Sequence, residues 1–219
     1  MGRKFRFTVL ALLMALSFCS CKKEAVRTEE EIIETLIEPT VMITVGEKHA
    51  TGVLAEKNEE KVTLFSVAHL MEGYDQGIVS FADGNVAFAD VVYINNQNDI
   101  CILEIESKYL SKDFYDSLKC AAIDTEKTKL LQADEEVILV GSAISPASNI
   151  TKGTFKVRDY YVPEFDQYLI YLYGDASHGM SGSGCYTSQG ILFGLVTAGS
   201  ETGEVVCIPI EDYIEEWRN

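Results

Sequence analysis

Three side chains of this sequence have the types needed for nucleophilic acyl transfer: a histidine, an aspartate and a serine. The serine, Ser181, lies in residues 179–184, which contain three glycines and two serines. Glycine allows positive φ and the close approach of another chain segment, and a serine on such a turn can stand beside inward-pointing backbone N–H groups. His69 follows one apolar run, and Asp99 precedes another. Residues 179–184 are therefore the candidate nucleophile loop.

Each of the three residues also has an ordinary explanation. A stretch of glycine and serine can be a plain loop, a lone histidine is usually a packed or surface residue, and an aspartate before a strand is usually a turn residue. The presence of all three, in this order and in a chain rich in strand patterns, favours catalysis over coincidence.

The elements that must position these residues are mostly strands. Apolar or alternating runs predict strands at residues 41–45, 50–54, 62–67, 78–81, 86–94, 100–105, 136–141, 151–159, 167–173, 185–187, 191–198 and 205–208. Many short strands at regular spacing predict barrels rather than a parallel α/β sheet. Residues 106–134 are polar and partly helical in pattern, and they could connect two halves.

Two short helices flank the strands. Thr28 and Glu31 have the spacing of a capping box, and apolar residues follow at helical intervals, so a short amphipathic helix should end before Pro39. The tail at residues 211–217 predicts a closing helix.

The first twenty residues are typical of an export signal. Three basic residues precede the apolar run 7–18, which is too short for a comfortable membrane span. The sequence ending in Ser20 and Cys21 resembles a bacterial lipoprotein signal, which implies a cleaved signal peptide at residues 1–20 and a lipid on Cys21. Residues 21–38 would then be the lipidated tether and short helix, with plain secretion as the alternative. We expect an exported, membrane-anchored lipoprotein that is periplasmic or on the cell surface.

The composition limits the partners. The 219-residue chain is 47% apolar, which indicates a substantial core. Its formal charge is −16, and −19 from Cys21 onward because the first twenty residues hold three basic and no acidic residues. A field of this sign repels phosphate backbones and anionic lipid, so nucleic acid is not an expected partner. The sequence predicts no oligomeric state.

Four cysteines remain after the signal segment. Cys101, Cys120, Cys185 and Cys207 permit two disulfides in three possible pairings, but free buried thiols are equally compatible with the apolar runs around them. No CxxC pair or Cys/His cluster indicates a metal, and we expect neither a metal nor a cofactor.

The motifs resemble those of trypsin-like serine proteases of the chymotrypsin fold, and among these the bacterial high-temperature-requirement (Deg) type. The resemblance covers residues 41–217. Its strongest parts are Ser-Val-Ala-His ending at His69, Asp-Ile starting at Asp99, and the loop around Ser181. Weaker matches lie at residues 78–84, 136–142, 151–153 and 194–197.

The resemblance implies an all-β fold with two six-stranded antiparallel barrels, at about residues 39–106 and 134–210 of a protease domain spanning 39–219. It implies polypeptide substrates and a His69, Asp99 and Ser181 triad that works through an acyl-enzyme. The backbone N–H groups of Gly179 and Ser181 would form the oxyanion hole. Because the chain ends after the closing helix, we expect no appended PDZ-type peptide-binding domain.

Two residues depart from the family pattern. Met180 replaces the Asp or Asn that usually precedes the nucleophile, and Gly184 stands where Pro is frequent. The missing side-chain anchor raises one alternative to a peptidase, a catalytically inactive peptide-binding module that keeps the cleft. A separate alternative is an esterase that uses the same site.

The resemblance also suggests substrate-binding residues. Asp175 lies six residues before Ser181, where trypsin-like enzymes select Lys or Arg, although it can also correspond to an upstream segment of Deg-type proteases. His178 would line the pocket wall. The segment Thr197, Ala198 and Gly199 would offer backbone hydrogen bonds to an extended substrate.

Overall fold

The computed structural model describes residues 27–142, 149–176, 179–211 and 213–214. Two predictions from the sequence concern residues outside these ranges: the signal and lipidation segment with Cys21, and the pocket residue His178. Most of the closing helix predicted at 211–217 also lies outside them. None of the helices in the described part of the chain is long and apolar enough to cross a membrane.

Six antiparallel strands form the first barrel. They are β1 (Thr40–Val45), β2 (Lys48–Lys57), β3 (Lys61–Val67), β4 (Gln76–Ser80), β5 (Val86–Asn95) and β6 (Ile100–Glu106). They close in the order β1-β2-β3-β6-β5-β4. The β4–β5 hairpin turns at the Asp-Gly pair, where Gly84 has a φ of 86°. The hairpin that the sequence predicted at 82–85 is therefore present.

The positions of β5 and β6 in the first barrel determine which of their side chains are buried. In β5, the small residues Ala87 and Ala89 are buried, whereas Val86 and Phe88 face outward and are exposed. In β6, nearly every side chain is buried, because this strand lies between β3 and β5 and packs on both faces. The apolar run at residues 100–103 of β6 is therefore a consequence of burial on both faces of the strand.

The second barrel also has six antiparallel strands. They are β8 (Glu136–Gly141), β9 (Asn149–Val162), β10 (Gln167–Gly174), β11 (Gly184–Thr187), β12 (Ile191–Gly199) and β13 (Glu204–Pro209). Their order is β11-β8-β9-β10-β13-β12, and β11 pairs again with β12, so the sheet closes. The fold is thus the double barrel that the sequence predicted.

The connection between the barrels wraps around the outside. It contains one 3₁₀ turn, two short α-helices and one short strand: the 3₁₀ turn (Ser107–Tyr109), α2 (Lys112–Ser117), β7 (Ala122–Ile123) and α3 (Thr125–Thr128). The short strand β7 pairs in parallel with β12 of the second barrel. The sequence did not predict β7, because two residues are too few to show alternation.

The N-terminal helix α1 (Glu29–Ile37) is the one that the capping box predicted. The Thr28 hydroxyl accepts from the Glu31 N–H at 3.2 Å, and the Glu31 carboxylate accepts from the Thr28 N–H at 2.7 Å. Leu36 is buried beside Gly190, in the β11–β12 turn. The helix therefore packs on the second barrel, just before the chain enters the first.

Candidate active site

Strand pairing brings His69 and Asp99 together. Strands β3 and β6 are antiparallel. Val67, the last residue of β3, pairs with Ile100, the first residue of β6. A 3₁₀ turn over Ala68–Leu70 begins where β3 ends, so His69 lies next to the residue that opens β6. The β-ladder itself therefore sets the distance between the imidazole and the carboxylate.

The resulting contact is close and multiple. The His69 Nδ1 atom lies 2.9 Å from each carboxylate oxygen of Asp99, and the His69 backbone N–H donates to Oδ1 at 2.9 Å. The Ala68 N–H donates to the Asp99 carbonyl at 3.1 Å. The carboxylate can therefore fix the imidazole tautomer with hydrogen on Nδ1, which leaves Nε2 free to act as a base.

Asp99 is buried and strongly held. Its φ of 54° places it in the left-handed region, which Asp tolerates better than most residues. The Thr197 hydroxyl also donates to its Oδ2 atom. Burial alone would raise the pKa of Asp99, but the hydrogen bonds from His69 and Thr197 outweigh it and hold the pKa below its ordinary value. The side chain is thus an anion at neutral pH.

The loop around Ser181 is folded by its own backbone and by β12. The Ser183 N–H donates to the Met180 carbonyl at 2.8 Å, and the Gly182 N–H donates to the Val196 carbonyl at 2.7 Å. Gly182 has a φ of 80°, and a Cβ atom there would lie 2.1 Å from the Thr51 carbonyl oxygen. Glycine is therefore required at 182, because the loop presses directly against the first barrel.

The backbone N–H groups of residues 179–181 remain available. Within the described residues, none of these three groups donates to a protein acceptor, whereas those of Gly182 and Ser183 do. Gly179 has a φ of 90°, which only glycine adopts easily. Two of the three available groups belong to Gly179 and Ser181, the residues that the sequence predicted as oxyanion donors.

The structure places Ser181 and His69 on opposite barrels. Across the described ranges, the His69 ring hydrogen bonds only to Asp99, and no hydrogen bond joins it to the Ser181 hydroxyl. Catalytic hydrogen bonds of this kind are often long without substrate and tighten in the reacting complex.

Met180 gives the loop an apolar anchor in place of a polar one. Its side chain is buried in the core of the second barrel, where it belongs to the same cluster as Leu139, Phe193 and Val196. The substitution in the family pattern therefore changes how the loop is held, from a hydrogen-bonded side chain to a packed one.

A cavity of about 780 Å³ opens beside Ser181. Its walls come from β10, the nucleophile loop, β12 and the β12–β13 turn, and they include Asp175, Ala198, Gly199 and Glu201. Asp175 and Glu201 are acidic, and no Lys or Arg lines the cavity among the described residues. The cavity can therefore hold a substrate side chain, and its charge suits a cation.

Thr197 has a different position from its two neighbours. It is buried, and its hydroxyl is bound to Asp99, whereas Ala198 and Gly199 line the cavity. A further cavity, of about 710 Å³, is lined by His69 and Asp99 together with Tyr74 and Ile94. Ser181 therefore borders one cavity, and the pair His69 and Asp99 borders another.

Two functional contacts were not predicted from the sequence. Thr197 was expected to bind substrate through its backbone, and its hydrogen bond to Asp99 has no local sequence signal. Thr51, in β2, contacts the nucleophile loop from the first barrel. Its only sequence signal is a polar residue beside Gly52 in an otherwise apolar strand.

No metal site accompanies these residues in the part of the chain that the structure describes. No group of three or more His, Cys, Asp or Glu side chains there is arranged to hold an ion. The four cysteines are free, and the Cys185 and Cys207 sulfur atoms lie 3.0 Å apart.

Comparison with known proteins defines the class. The family model described as "Trypsin-like peptidase domain" matches residues 50–195, and the chain belongs to this family of serine proteases. This confirms the family that the motifs around His69, Asp99 and Ser181 predicted.

A solved structure with the same fold is the serine endoprotease from Yersinia pestis. The two share 17% sequence identity with a TM-score of 0.68, over 89% of this chain and 67% of that one. No curated protein matches the sequence significantly.

Proposed function

We propose that the chain is a serine endopeptidase that cleaves peptide bonds through His69, Asp99 and Ser181. The observation that supports this best is the His69–Asp99 pair, in which Nδ1 lies 2.9 Å from both carboxylate oxygens. This arrangement leaves Nε2 directed away from the carboxylate. It is the atom that must take the proton of a nucleophilic hydroxyl.

The reaction has two halves. The Ser181 oxygen attacks the peptide carbonyl while its proton moves to His69, and the imidazolium then gives that proton to the departing amine. A water molecule, deprotonated by His69, hydrolyses the acyl-enzyme and releases Ser181. In both halves the N–H groups of Gly179 and Ser181 would stabilise the oxyanion, and each such donor typically contributes about 10²–10³ in rate.

Reaction with a fluorophosphonate probe tests the nucleophile. We expect the purified mature domain to gain one label on Ser181, and the variant Ser181→Ala to gain none. Ser188→Ala, which removes an exposed serine hydroxyl in the β11–β12 turn, is the matched control and should label fully. Labelling that persists in Ser181→Ala would exclude this serine as the nucleophile.

The alternative is an inactive module that binds peptides in the same cleft. The feature that raises it is Met180, which stands where the family has a polar residue before the nucleophile. A wild-type protein that does not label, yet binds a peptide with a slow off-rate, would support this alternative. Labelling together with peptide turnover would exclude it.

The proposed location is outside the cytoplasm, with a lipid on Cys21. The support is the basic and apolar pattern of residues 1–20 and the small residue before Cys21. In a bacterial host, the full chain should incorporate a labelled fatty acid, and Cys21→Ser should abolish incorporation. Cys19→Ser removes the neighbouring thiol and should keep the label. Equal labelling of both variants would contradict the assignment.

A further inference from the structure

Thr51 links the two barrels directly at the nucleophile loop. It lies in β2 of the first barrel and is fully buried. Its backbone N–H donates to the carbonyl of Ser181 at 2.8 Å. One strand residue of the first barrel is therefore bonded to the nucleophile residue of the second.

The Thr51 hydroxyl makes three further hydrogen bonds at and beside the nucleophile loop. It donates to the Gly179 carbonyl at 3.3 Å, and it accepts from the Ser142 N–H at 2.8 Å and from the Ser183 hydroxyl at 3.3 Å. A hydroxyl has one donor and two acceptor sites, so all three are occupied. The Thr51 hydroxyl therefore connects the first barrel to the nucleophile loop and to Ser142, the residue that follows β8.

These bonds fix three consecutive peptide groups. The Gly179–Met180 peptide is held by the Thr51 hydroxyl, and the Met180–Ser181 peptide is held by the Ser183 N–H. The Ser181–Gly182 peptide is held on one side by the Thr51 N–H and on the other by the Val196 carbonyl. The directions of the Met180 and Ser181 N–H groups and of the Ser181 side chain follow from these planes.

The orientation of Thr51 is itself supported from the histidine side. The Ser66 hydroxyl donates to the Thr51 carbonyl at 2.7 Å, and Ser66 lies three residues before His69 in the same strand and turn. Because Met180 has no polar side chain, it makes no such bond to the loop. The hydrogen-bonded support comes from Thr51 instead.

We infer that Thr51 is a positioning residue, whose hydroxyl sets the nucleophile loop, with the side chain and the N–H donor of Ser181, in register with His69. This inference rests on the proposed peptidase function, but the loop geometry can be measured without catalysis. The residue touches no reacting atom and acts through Gly179, Ser181 and Ser183.

The variants Thr51→Val and Thr51→Ser separate the hydroxyl from the rest of the side chain. Valine has the same shape and loses all three hydroxyl bonds, so we expect kcat on a peptide or ester substrate to fall about 10²–10³-fold. We expect KM to change by less than about threefold, because the cavity beside Ser181 is unchanged. Serine keeps the hydroxyl and should restore kcat to within about fivefold of the wild type.

Thr40→Val is the matched control. Thr40 is also a fully buried threonine of the first barrel, and its hydroxyl donates to the Leu36 carbonyl at 2.8 Å, away from the cleft. It should lower the thermal midpoint and leave kcat unchanged. Equal kcat losses in Thr40→Val and Thr51→Val would show a general stability effect and overturn the inference, as would a Thr51→Val variant with wild-type kcat.

Hydrogen exchange gives a readout that does not depend on catalysis. In Thr51→Val, the amides of Gly182 and Ser183 should exchange about tenfold faster or more, whereas those of β6 should not change. If valine prevents folding, Thr51→Cys has nearly the same size and makes weaker hydrogen bonds, and it should show an intermediate effect. Unchanged exchange at the loop would overturn the positioning of the loop by Thr51. A wild-type protein with no labelling or turnover would contradict only the peptidase function.

Discussion

The Thr197 hydroxyl, on the second barrel, donates a hydrogen bond to the Asp99 carboxylate at the edge of the first barrel. The two residues are 98 positions apart in the chain. Asp99 therefore receives hydrogen bonds from both barrels, since His69 belongs to the first. The position of the carboxylate, and with it that of the imidazole, depends on correct docking of the two halves.

The lowered pKa of Asp99 predicts an acid limit to stability. The carboxylate pKa is lower in the folded than in the unfolded chain, so its ionised form contributes stability above the ordinary aspartate pKa of about 4. That contribution is lost as the pH falls from there through the folded pKa. In thermal melts at a series of acidic pH values, Asp99→Asn should show a flatter loss of stability than the wild type. Parallel curves for the two proteins would contradict this account.

Asp99→Asn should also abolish most of the activity at neutral pH. Asparagine keeps the shape of the side chain, but its amide can donate to Nδ1 and so favours the wrong tautomer of His69. In enzymes with this triad the same change lowers kcat by about 10⁴. The control is Asp83→Asn, at an exposed turn. It makes the same change of charge as Asp99→Asn but lies outside the active site, so activity should not change. A loss of less than about tenfold in Asp99→Asn would exclude a triad that depends on this carboxylate.

Met180 should be important for stability as well as for loop shape. Its side chain is buried in the core of the second barrel, so Met180→Ala should lower the free energy of unfolding by about 2–5 kcal/mol. Met180→Asp, which restores the residue common in the family, should be worse, since the carboxylate would be buried among apolar groups. Denaturant unfolding measures both. The control Leu130→Ala, at an exposed site, should change the free energy of unfolding by less than about 0.5 kcal/mol. If Met180→Asp were as stable as the wild type, the loop could also be held by a polar side chain at this position, which would contradict this account.

The sequence predicted the parts of the fold that local patterns encode. Alternation in β5 and the apolar run at the start of β6 predicted strands of the first barrel, and the Thr28–Glu31 spacing predicted helix α1. It did not give β7, which is two residues long and exists because it pairs with β12. The positions of His69, Asp99 and Ser181 in the chain were visible. The hydrogen bonds of Thr51 and Thr197 were not, because each joins residues of different barrels and only docking creates them.

The second barrel contains one pair of thiols that oxidation can join. The Cys185 and Cys207 sulfur atoms are 3.0 Å apart and buried, and burial raises the pKa of the Cys207 thiol. Because thiolates react and buried thiols do not, the folded, reduced protein should resist alkylation at both sites. When the reduced chain refolds with a glutathione disulfide mixture, exchange should give a Cys185–Cys207 disulfide and two equivalents of glutathione. Mass spectrometry of unreduced fragments should find it in preference to any pairing of Cys101, and Cys185→Ser should remove it.

The acidic cavity beside Ser181 predicts cleavage after lysine or arginine. Asp175 and Glu201 line it, and no described lysine or arginine neutralises them. Asp175→Asn should therefore lower kcat/KM for substrates with a basic residue before the scissile bond by about tenfold or more, and lower it much less for apolar ones. Glu201→Gln should act in the same direction, because Asp175 and Glu201 are both exposed and both line the cavity, so salt screens both charges. The control Glu34→Gln removes one negative charge from the exposed face of α1, so it tests whether net charge alone matters. A cleavage profile that prefers apolar residues in the wild type, or one that Asp175→Asn leaves unchanged, would show that the carboxylates do not select the substrate.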